Sequence, residues 1–342
     1  MNHIVLCLSR NWVKYCKTLI SSIIFFNGSE FTFHIIGKSF NEADINELKS
    51  VAGGCDILYY ELSDNHLEQF IVRSTDHITI EAYYRFFIPE LLPDDIDKVL
   101  YLDVDIICTG KIKDLFNEDL GSNILGMVGD CVYNDVRNFN RLPYEKEYNY
   151  YNSGVILFNL KLFREEKCMN KLIDFVLTNP EKCIYHDQDA INYVLKDRIK
   201  NIDWSYNVQK YFWFVSYWLK PETLPRRMFG QDYIKKEYWN SLYEGVKNPK
   251  LVHFTDRDKP WKTDYYPIYT KVWRYFFYNF AGGSKKDLEK PKLSKMQTIK
   301  NFLKFFLGRK TPVKKLEYPE EFHKQEESLL DVIQRKSLNF DL

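Results

Sequence analysis

Two carboxylates one residue apart, Asp103 and Asp105, follow the apolar run Lys98–Asp103 (KVLYLD). In an extended chain alternate side chains point to the same side, so this spacing predicts that both carboxylates face one way. Hard carboxylate oxygens suit a divalent cation such as Mg²⁺ or Mn²⁺, which in turn binds a diphosphate. A solvated acidic turn is the alternative for so short a motif, but the apolar strand before it favours a metal site.

A histidine, His253, also ends a short apolar run, in the segment Leu251–Phe254. Its imidazole could complete a metal site, and the nearby Lys259 could neutralise a phosphate. A single histidine is more often a packed or exposed side chain than a ligand. This segment alone therefore leaves both interpretations open.

Small and amide-bearing side chains form a third group of candidate residues. Tyr151–Gly154 (YNSG) precede a predicted strand, Val155–Asn159, and Asp187–Asp189 (DQD) follow later in the chain. Amides and carboxylates are suited to hydrogen bonding with sugar hydroxyl groups. The DQD segment also suits the N-cap of a helix at Ala190–Lys196, and the two interpretations are compatible.

Predicted strands and helices alternate over the first hundred residues. The strands are His3–Leu8, Phe31–Gly37, Ile57–Glu61 and Lys98–Asp103, and the helices are Tyr15–Phe26 and Glu42–Val51, with further helical spacing at Ile78–Leu91. This alternation predicts an open, mainly parallel α/β sheet, in which ligands bind beyond the carboxyl ends of strands. No GxGxxG or GxxxxGKS/T motif occurs, which argues against a dinucleotide or P-loop site.

The composition excludes several classes of protein. Of the 342 residues, 45% are apolar and 28% charged, a balance typical of one large or two ordinary globular domains. A net charge of +1 argues against a uniformly basic nucleic-acid-binding protein, so no nucleic-acid partner is expected. Seven scattered cysteines without a CxxC pair favour a reducing, cytoplasmic location. The sequence shows no targeting segment and no run near the ~20 apolar residues of a membrane span.

Charge is unevenly distributed along the chain. Residues 285–315 carry a net charge of +9, whereas residues 1–284 and 316–342 each carry −4. A mildly acidic body is therefore followed by a basic segment and then by an acidic end.

The linker-like segment Gly282–Ser284 marks a boundary in composition. We expect a catalytic domain at 1–280 and a mainly helical tail at 281–342. In Lys295–Leu307 large apolar residues fall on one helical arc with lysines beyond it, which suits attachment to an anionic membrane surface. Packing of this helix on the acidic body is the alternative.

Four motifs together resemble glycosyltransferase family 8, the retaining UDP-sugar transferases that include bacterial lipopolysaccharide galactosyl- and glucosyltransferases and glycogenin. The motifs are DKVLYLDVDI (97–106), YYNSGVILFNL (150–160), YHDQDAIN (185–192) and HFTDRDKPW (253–261). They stand in the family's order, and the resemblance covers about residues 3–261. It implies a glycosyltransferase A type fold, with a single Rossmann-like mixed α/β sheet.

The resemblance also implies roles for individual residues. Asp103, Asp105 and His253 match the protein ligands to Mn²⁺, with Mg²⁺ as the alternative ion, and Lys259 matches the lysine that contacts the donor diphosphate. Positions that match the donor-binding residues are Cys7, Ser9, Asn11, Trp12, Arg85 and Asn152, and those that match the sugar pocket and reaction centre are Asp130, Asp187 and Gln188.

The sequence departs from the family pattern at three positions. Ser9 stands where the family commonly has an aspartate that reads the uracil imide, so recognition of the base has less charge assistance. Asp256 stands where the family has a glycine beside the diphosphate. At a third position, Trp12 replaces a common tyrosine, and either ring can stack on uracil.

The expected reaction transfers galactose or glucose, with retention, from UDP-galactose or UDP-glucose to a saccharide hydroxyl, in lipopolysaccharide or other surface glycan synthesis. Since the Gln188 amide is a poor nucleophile, attack on the same face is favoured over a covalent intermediate on Asp187 or Asp130. A lipid-linked acceptor and an enzyme peripheral on the inner face of the cytoplasmic membrane fit the basic tail. The aromatic segment Trp204–Trp218 is suited either to an acceptor wall or to the core.

Two other function classes remain open from the sequence. A catalytically silent nucleotide-sugar-binding or scaffolding protein would fit the departures at Ser9 and Asp256. A haloacid-dehalogenase-type phosphatase also places a DxD motif after an apolar strand, but it accounts for neither His253 nor the DQD segment.

Overall fold

The structure is a computed structural model that describes residues 1–68, 70, 80–130, 142, 149–210, 212–213, 238–255, 259–262, 267–289 and 320–338. The strands are β1 (Asn2–Cys7), β2 (Phe31–Gly37), β3 (Asp56–Glu61), β4 (Lys98–Leu102), β5 (Ile106–Cys108), β6 (Leu125–Gly129), β7 (Tyr151–Asn159), β8 (Ile199–Asn201), β9 (Val208–Gln209) and β10 (Leu251–His253). The α-helices are α1 (Val13–Asn27), α2 (Glu42–Lys49), α3 (Asp64–Leu67), α4 (Ile88–Leu91), α5 (Lys113–Phe116), α6 (Leu160–Glu165), α7 (Cys168–Thr178), α8 (Asp187–Val194), α9 (Trp239–Lys247), α10 (Thr270–Asn279) and α11 (Glu320–Ser337). Short 3-10 helices span Arg10–Trp12, Ile80–Phe87, Trp204–Asn207 and Lys285–Asp287.

A mixed sheet of seven strands, in the order β3-β2-β1-β4-β7-β6-β8, organises the fold. Strand β1 pairs in parallel with β2 and β4, whereas β7 is antiparallel to both β4 and β6. The carboxyl ends of β1, β4 and β6 therefore meet the amino end of β7 at one edge of the sheet. The predicted α/β fold with a mixed sheet is confirmed.

Alternate residues of the central strands face two apolar layers. On β1, Ile4 and Leu6 belong to one buried cluster, while Val5 and Cys7 belong to the other. A strand that is buried on both faces has an uninterrupted apolar run in its sequence. For this reason the sequence predicts β1 and β4 well. Both layers exclude water from the sheet and fix the strand ends that carry polar residues.

A second, three-stranded sheet in the order β5-β10-β9 adjoins the first. The expectation of an extended chain through Asp103-Val104-Asp105 is wrong, because β4 ends at Leu102 and these residues form the turn into β5 at Ile106. The chain must bend here since it leaves one sheet and enters the other. Strand β10 is antiparallel to β5, with His253 opposite Ile106, and this pairing brings a distant segment to the turn.

The C-terminal helix α11 packs against the body. Phe322 and Ile333 are buried in the same cluster as the residues of α10. The Glu326 carboxylate accepts a hydrogen bond of 2.7 Å from the Lys271 N–H in the first turn of α10, where a negative charge complements the helix dipole. The predicted membrane helix at 295–307 lies outside the described residues, and in the part that is described no helix has the length and apolarity needed to span a membrane.

Adjacent residues on α11 test this packing. Ile333 is fully buried and Val332 is 44% exposed, so Ile333→Ala should lower the free energy of unfolding by about 2–5 kcal/mol, while Val332→Ala should change it by no more than about 0.5 kcal/mol. Urea denaturation of the full chain measures both values. Equal effects of the two substitutions would contradict the docked position of the helix.

Candidate active site

Asp103 lies at the carboxyl end of β4, and its two carboxylate oxygens have different surroundings. Its Oδ1 accepts hydrogen bonds from Tyr101 Oη at 2.5 Å and from Arg85 Nη2 at 3.0 Å. Its Oδ2 lies 3.7 Å from His253 Nε2. The guanidinium and the phenol therefore fix the carboxylate so that Oδ2 faces the histidine.

Asp105 shows the same division between its two oxygens. Oδ2 accepts from Lys259 Nζ at 2.5 Å, and Oδ1 lies 3.2 Å from His253 Nε2. Lys259 is held in place by a second hydrogen bond of 2.6 Å to the Phe254 carbonyl. Burial acts to raise the pKa of the Asp105 carboxyl, but the charge of Lys259 and the neighbouring His253 outweigh it and hold this pKa below its ordinary value.

Three ligand atoms converge where these side chains meet. Asp103, Asp105 and His253 each offer one atom, and these atoms all lie within 4.8 Å of one another. Two carboxylate oxygens and one imidazole nitrogen suit Mn²⁺ or Mg²⁺, so the residues present fit the expected cation. A Cβ on Gly154 would overlap His253 Cε1 and lie 2.9 Å from Asp103 Oδ2, so the cluster requires glycine at that position.

A network of amides and a carboxylate lies next to this cluster. Asn152 Nδ2 donates to Asp130 Oδ2 at 2.9 Å and to Gln188 Oε1 at 3.2 Å. Gln188 Oε1 also accepts from the Ser153 N–H at 3.1 Å, and Gln188 Nε2 donates to Asp130 Oδ2 at 3.2 Å. All four residues are buried. The network joins the ends of β6 and β7 to α8, and it brings together three predicted site residues.

Asp187 lies at the first position of α8, one residue after the N-cap His186. The prediction that DQD precedes a helix at Ala190–Lys196 is wrong, because the helix already begins at Asp187. Its carboxylate Oδ2 is 3.2 Å from Arg85 Nη1, and the same guanidinium contacts Asp103. Burial raises the pKa of the Asp187 carboxyl from 3.8 to about 6, although the Arg85 charge opposes this shift.

The residues expected to hold the base and ribose lie at the end of β1 and directly after it, beside the end of β4. Cys7 is buried, and burial raises the pKa of its thiol, so it stays protonated. Ser9 is half-buried at the start of the 3-10 helix, and Asn11 is exposed. The half-buried Trp12 packs edge-on against Trp261, with ring centroids 5.3 Å apart.

Of two further sequence expectations, the described residues bear on one. In the aromatic segment Trp204–Trp218, the side chains of Trp204 and Trp213 are buried in the core, which favours the core interpretation for these rings. Asp256 lies outside the described residues.

One buried polar residue of the site, Asn207, is not indicated by the sequence, because it belongs to none of the four motifs. Its Oδ1 nevertheless lies 3.0 Å from His253 Nδ1.

Comparison with known proteins decides the family. Residues 3–265 match the family model for glycosyl transferase family 8. The chain belongs to glycosyltransferase family 8. The matched region contains both Asp103 and His253, together with the amide network beside them.

Named relatives agree with this membership. General stress protein A of Bacillus subtilis is 28% identical over 271 residues, which are 77% of this chain and 88% of that protein. Lipopolysaccharide 1,3-galactosyltransferase of Salmonella typhimurium is 28% identical over 211 residues, 59% of this chain and 62% of the relative, so the match spans less than two thirds of that enzyme. The galactosyltransferase LgtC, solved in complex with donor and acceptor sugar analogues, shares the fold with a TM-score of 0.71 at 21% identity, over 83% of this chain and 98% of LgtC.

The need for glycine at position 154 gives a test of the metal cluster. Gly154→Ala should displace His253 or Asp103 and lower the affinity for Mn²⁺ at least about ten-fold, since the new methyl group overlaps both ligands. Titration of free Mn²⁺ by its electron paramagnetic resonance signal measures the affinity. The control is Gly110→Ala, whose Cβ meets Lys250 Cγ at an ordinary 3.4 Å. Wild-type affinity in both variants would contradict the cluster.

The raised pKa of Asp187 predicts a dependence of stability on pH. Because the folded state holds the Asp187 proton more tightly, this group's contribution to stability is present below about pH 4 and is lost as the pH rises through about 6. Asp187→Asn cannot ionise, so its free energy of unfolding should rise relative to the wild type by about 1 kcal/mol between pH 5 and 7.5.

Urea denaturation in the presence of a chelator measures this difference. The control is Asp197→Asn, at an exposed position. A difference between wild type and Asp187→Asn that does not change with pH would show that Asp187 ionises as it does in water.

Proposed function

We propose that the protein transfers a hexose, galactose or glucose, from a UDP-sugar to a saccharide hydroxyl, with retention of anomeric configuration and with Mn²⁺ as cofactor. One observation carries this proposal: the Asp103, Asp105 and His253 ligand atoms converge within 4.8 Å, directly beside the buried Asp130–Asn152–Gln188 network. A cation site for a diphosphate and a polar pocket for a sugar are thereby adjacent, at the edge of the sheet where ligands of α/β folds bind.

The charged residues around the cluster support departure of the diphosphate. When bound, the divalent cation supplies Lewis-acid stabilisation of the charge that develops on the leaving diphosphate. Lys259 lies beside Asp105 with its ammonium group, where it contributes a second positive charge. Arg85 is buried and remains charged because Asp103 and Asp187 raise its pKa against the effect of burial, so it holds both carboxylates in place.

The hydrogen bonds of Gln188 support attack on the same face of the sugar. Its Oε1 already accepts from Asn152 Nδ2 and from the Ser153 N–H, and its Nε2 donates to Asp130. An amide oxygen with two donors is a still poorer nucleophile than a free amide. We therefore assign Gln188 a role in positioning the sugar, with Asp130 as an acceptor of sugar hydroxyl hydrogen bonds.

Turnover of UDP-galactose and UDP-glucose, with and without Mn²⁺, tests the proposal. The wild type should release UDP only with the divalent cation, and Asp105→Asn should lose about 100-fold or more, since one charge leaves the cation site. The exposed Asp114→Asn serves as the control. With a saccharide acceptor, proton NMR of the first-formed product should show an α linkage.

Each alternative gives a distinct result. Binding of the nucleotide sugar without turnover would identify a silent binding protein, and hydrolysis of phosphomonoesters with no UDP release would identify a phosphatase. A β-linked product would exclude retention.

We also propose that the basic segment attaches the enzyme to the inner face of the cytoplasmic membrane, where a lipid-linked saccharide would be the acceptor. Within this segment, Glu289 is the last described residue before position 290, and its N–H donates to the carbonyl of Trp261, two residues after Lys259, at 2.8 Å. The basic segment therefore begins beside the candidate active site. Attraction of a lysine to anionic lipid contributes about 1 kcal/mol and is weakened by salt.

Substitution in the full chain tests membrane attachment better than truncation, because removal of everything after Ser284 would also strip α11 from the core. The variant replaces four lysines of the basic segment with glutamine: Lys292, Lys295, Lys300 and Lys304. It should bind at least about ten-fold more weakly than the wild type to vesicles that contain phosphatidylglycerol, in sedimentation at low salt.

The control for this experiment has the same net charge. It replaces four exposed lysines of the body with glutamine: Lys49, Lys111, Lys161 and Lys171. Equal binding of both variants to the vesicles would exclude a role for the basic segment in membrane attachment. This result would not bear on sugar transfer, which the vesicle experiment does not measure.

A further inference from the structure

Asn207 lies between the two halves of the candidate active site. It is the last residue of the 3-10 helix Trp204–Asn207 and is completely buried. Its Oδ1 is 3.0 Å from His253 Nδ1, and its Nδ2 is 2.9 Å from Asn152 Oδ1. One side chain thus contacts a cation ligand and the amide network of the sugar pocket.

The direction of these hydrogen bonds follows from a backbone group. The Gly154 N–H can only donate, and it donates to Asn152 Oδ1 at 3.0 Å. Asn152 therefore presents its oxygen to Asn207, and its Nδ2 to the Asp130 carboxylate. Asn207 must then donate through Nδ2, which leaves its Oδ1 facing His253.

We propose that Asn207 is the positioning residue that fixes the hydrogen of His253 on Nδ1 and so couples cation binding to the sugar pocket. An amide oxygen can only accept, so His253 Nδ1 must carry the hydrogen and donate it. In the neutral ring the lone pair then lies on Nε2, the atom that faces Asp103 and Asp105. A partner on the second ring nitrogen is the arrangement that orients a metal-binding histidine.

The same bond makes the two halves of the site depend on each other. If the Asn207 amide turned over, its NH₂ group would face the hydrogen on His253 Nδ1, and its oxygen would face Asn152 Oδ1. Each pair would then be two donors or two acceptors in a buried place, which is unfavourable. Asn152 and His253 therefore keep their orientations together.

Two substitutions at one position separate the two bonds. Asn207→Leu removes both and should weaken Mn²⁺ binding about 10- to 100-fold. Asn207→Asp keeps an acceptor for His253 but has no donor for Asn152. It should therefore bind Mn²⁺ within about three-fold of the wild type, while UDP-sugar turnover falls about ten-fold or more. Mn²⁺ alone is the probe, followed by its electron paramagnetic resonance signal in the full chain.

A matched control separates this effect from the loss of a buried amide. Asn27 is also buried, and its Oδ1 accepts from the Ile112 N–H at 2.7 Å, away from the cluster. Asn27→Leu should lower stability and leave Mn²⁺ affinity unchanged. Equal Mn²⁺ affinity in Asn207→Leu and Asn27→Leu, or a loss in Asn207→Asp as large as in Asn207→Leu, would overturn the proposal.

Nitrogen-15 NMR of the histidine rings shows which nitrogen of His253 carries the hydrogen in the wild type, without any substitution at Asn207. The His253 signals, assigned by their absence in His253→Gln, should show hydrogen on Nδ1. A ring with hydrogen on Nε2 alone would overturn the proposal. The role of Asn207 rests on the proposed function, because that function supplies the cation. The two proposals nevertheless fail separately. Mn²⁺ binding without sugar transfer would refute only the proposed function, and normal Mn²⁺ binding by Asn207→Leu would refute only the role of Asn207.

Discussion

Repulsion between carboxylates is the constraint on which the candidate site depends. Asp103, Asp105 and Asp187 bring three acidic groups into a small, largely buried region, where like charges interact strongly. Arg85 lies between two of them and Lys259 pairs with the third. In Asp103 and Asp105, the oxygen that binds Arg85 or Lys259 is the one that does not face His253. The remaining oxygens of the two metal-site carboxylates are thereby directed at one point, with His253.

The arrangement of the two sheets brings these charged residues together. The turn at Asp103-Val104-Asp105 leaves the seven-stranded sheet for the three-stranded one, and β10 returns His253 to it after about 150 residues of chain. Glycine at position 154 leaves the space in which the ring and the carboxylate meet. Packing on both faces of β1 and β4 keeps these strand ends in place, so the precision of the polar site derives from the apolar layers.

The sequence predicts those strands and helices that have a clear local pattern of apolar residues. β1, β2, β3 and β4 were located to within a residue or so, because apolar runs bounded by polar residues mark buried strands. The strands of the small sheet are only two or three residues long and carry no periodicity, so the bend at the DxD motif was missed. Asn207 was missed for a different reason: its role comes from hydrogen bonds to residues 46 and 55 positions away. No local pattern encodes such contacts.

Pulsed electron paramagnetic resonance of Mn²⁺ bound to the full chain is the most direct measurement of the central claim, that Asp103, Asp105 and His253 form one cation site. Mn²⁺ bound at this site should show a hyperfine coupling to one imidazole nitrogen, which changes when histidine is labelled with nitrogen-15 and is absent in His253→Gln. Tightly bound Mn²⁺ without any nitrogen coupling in the wild type would contradict it.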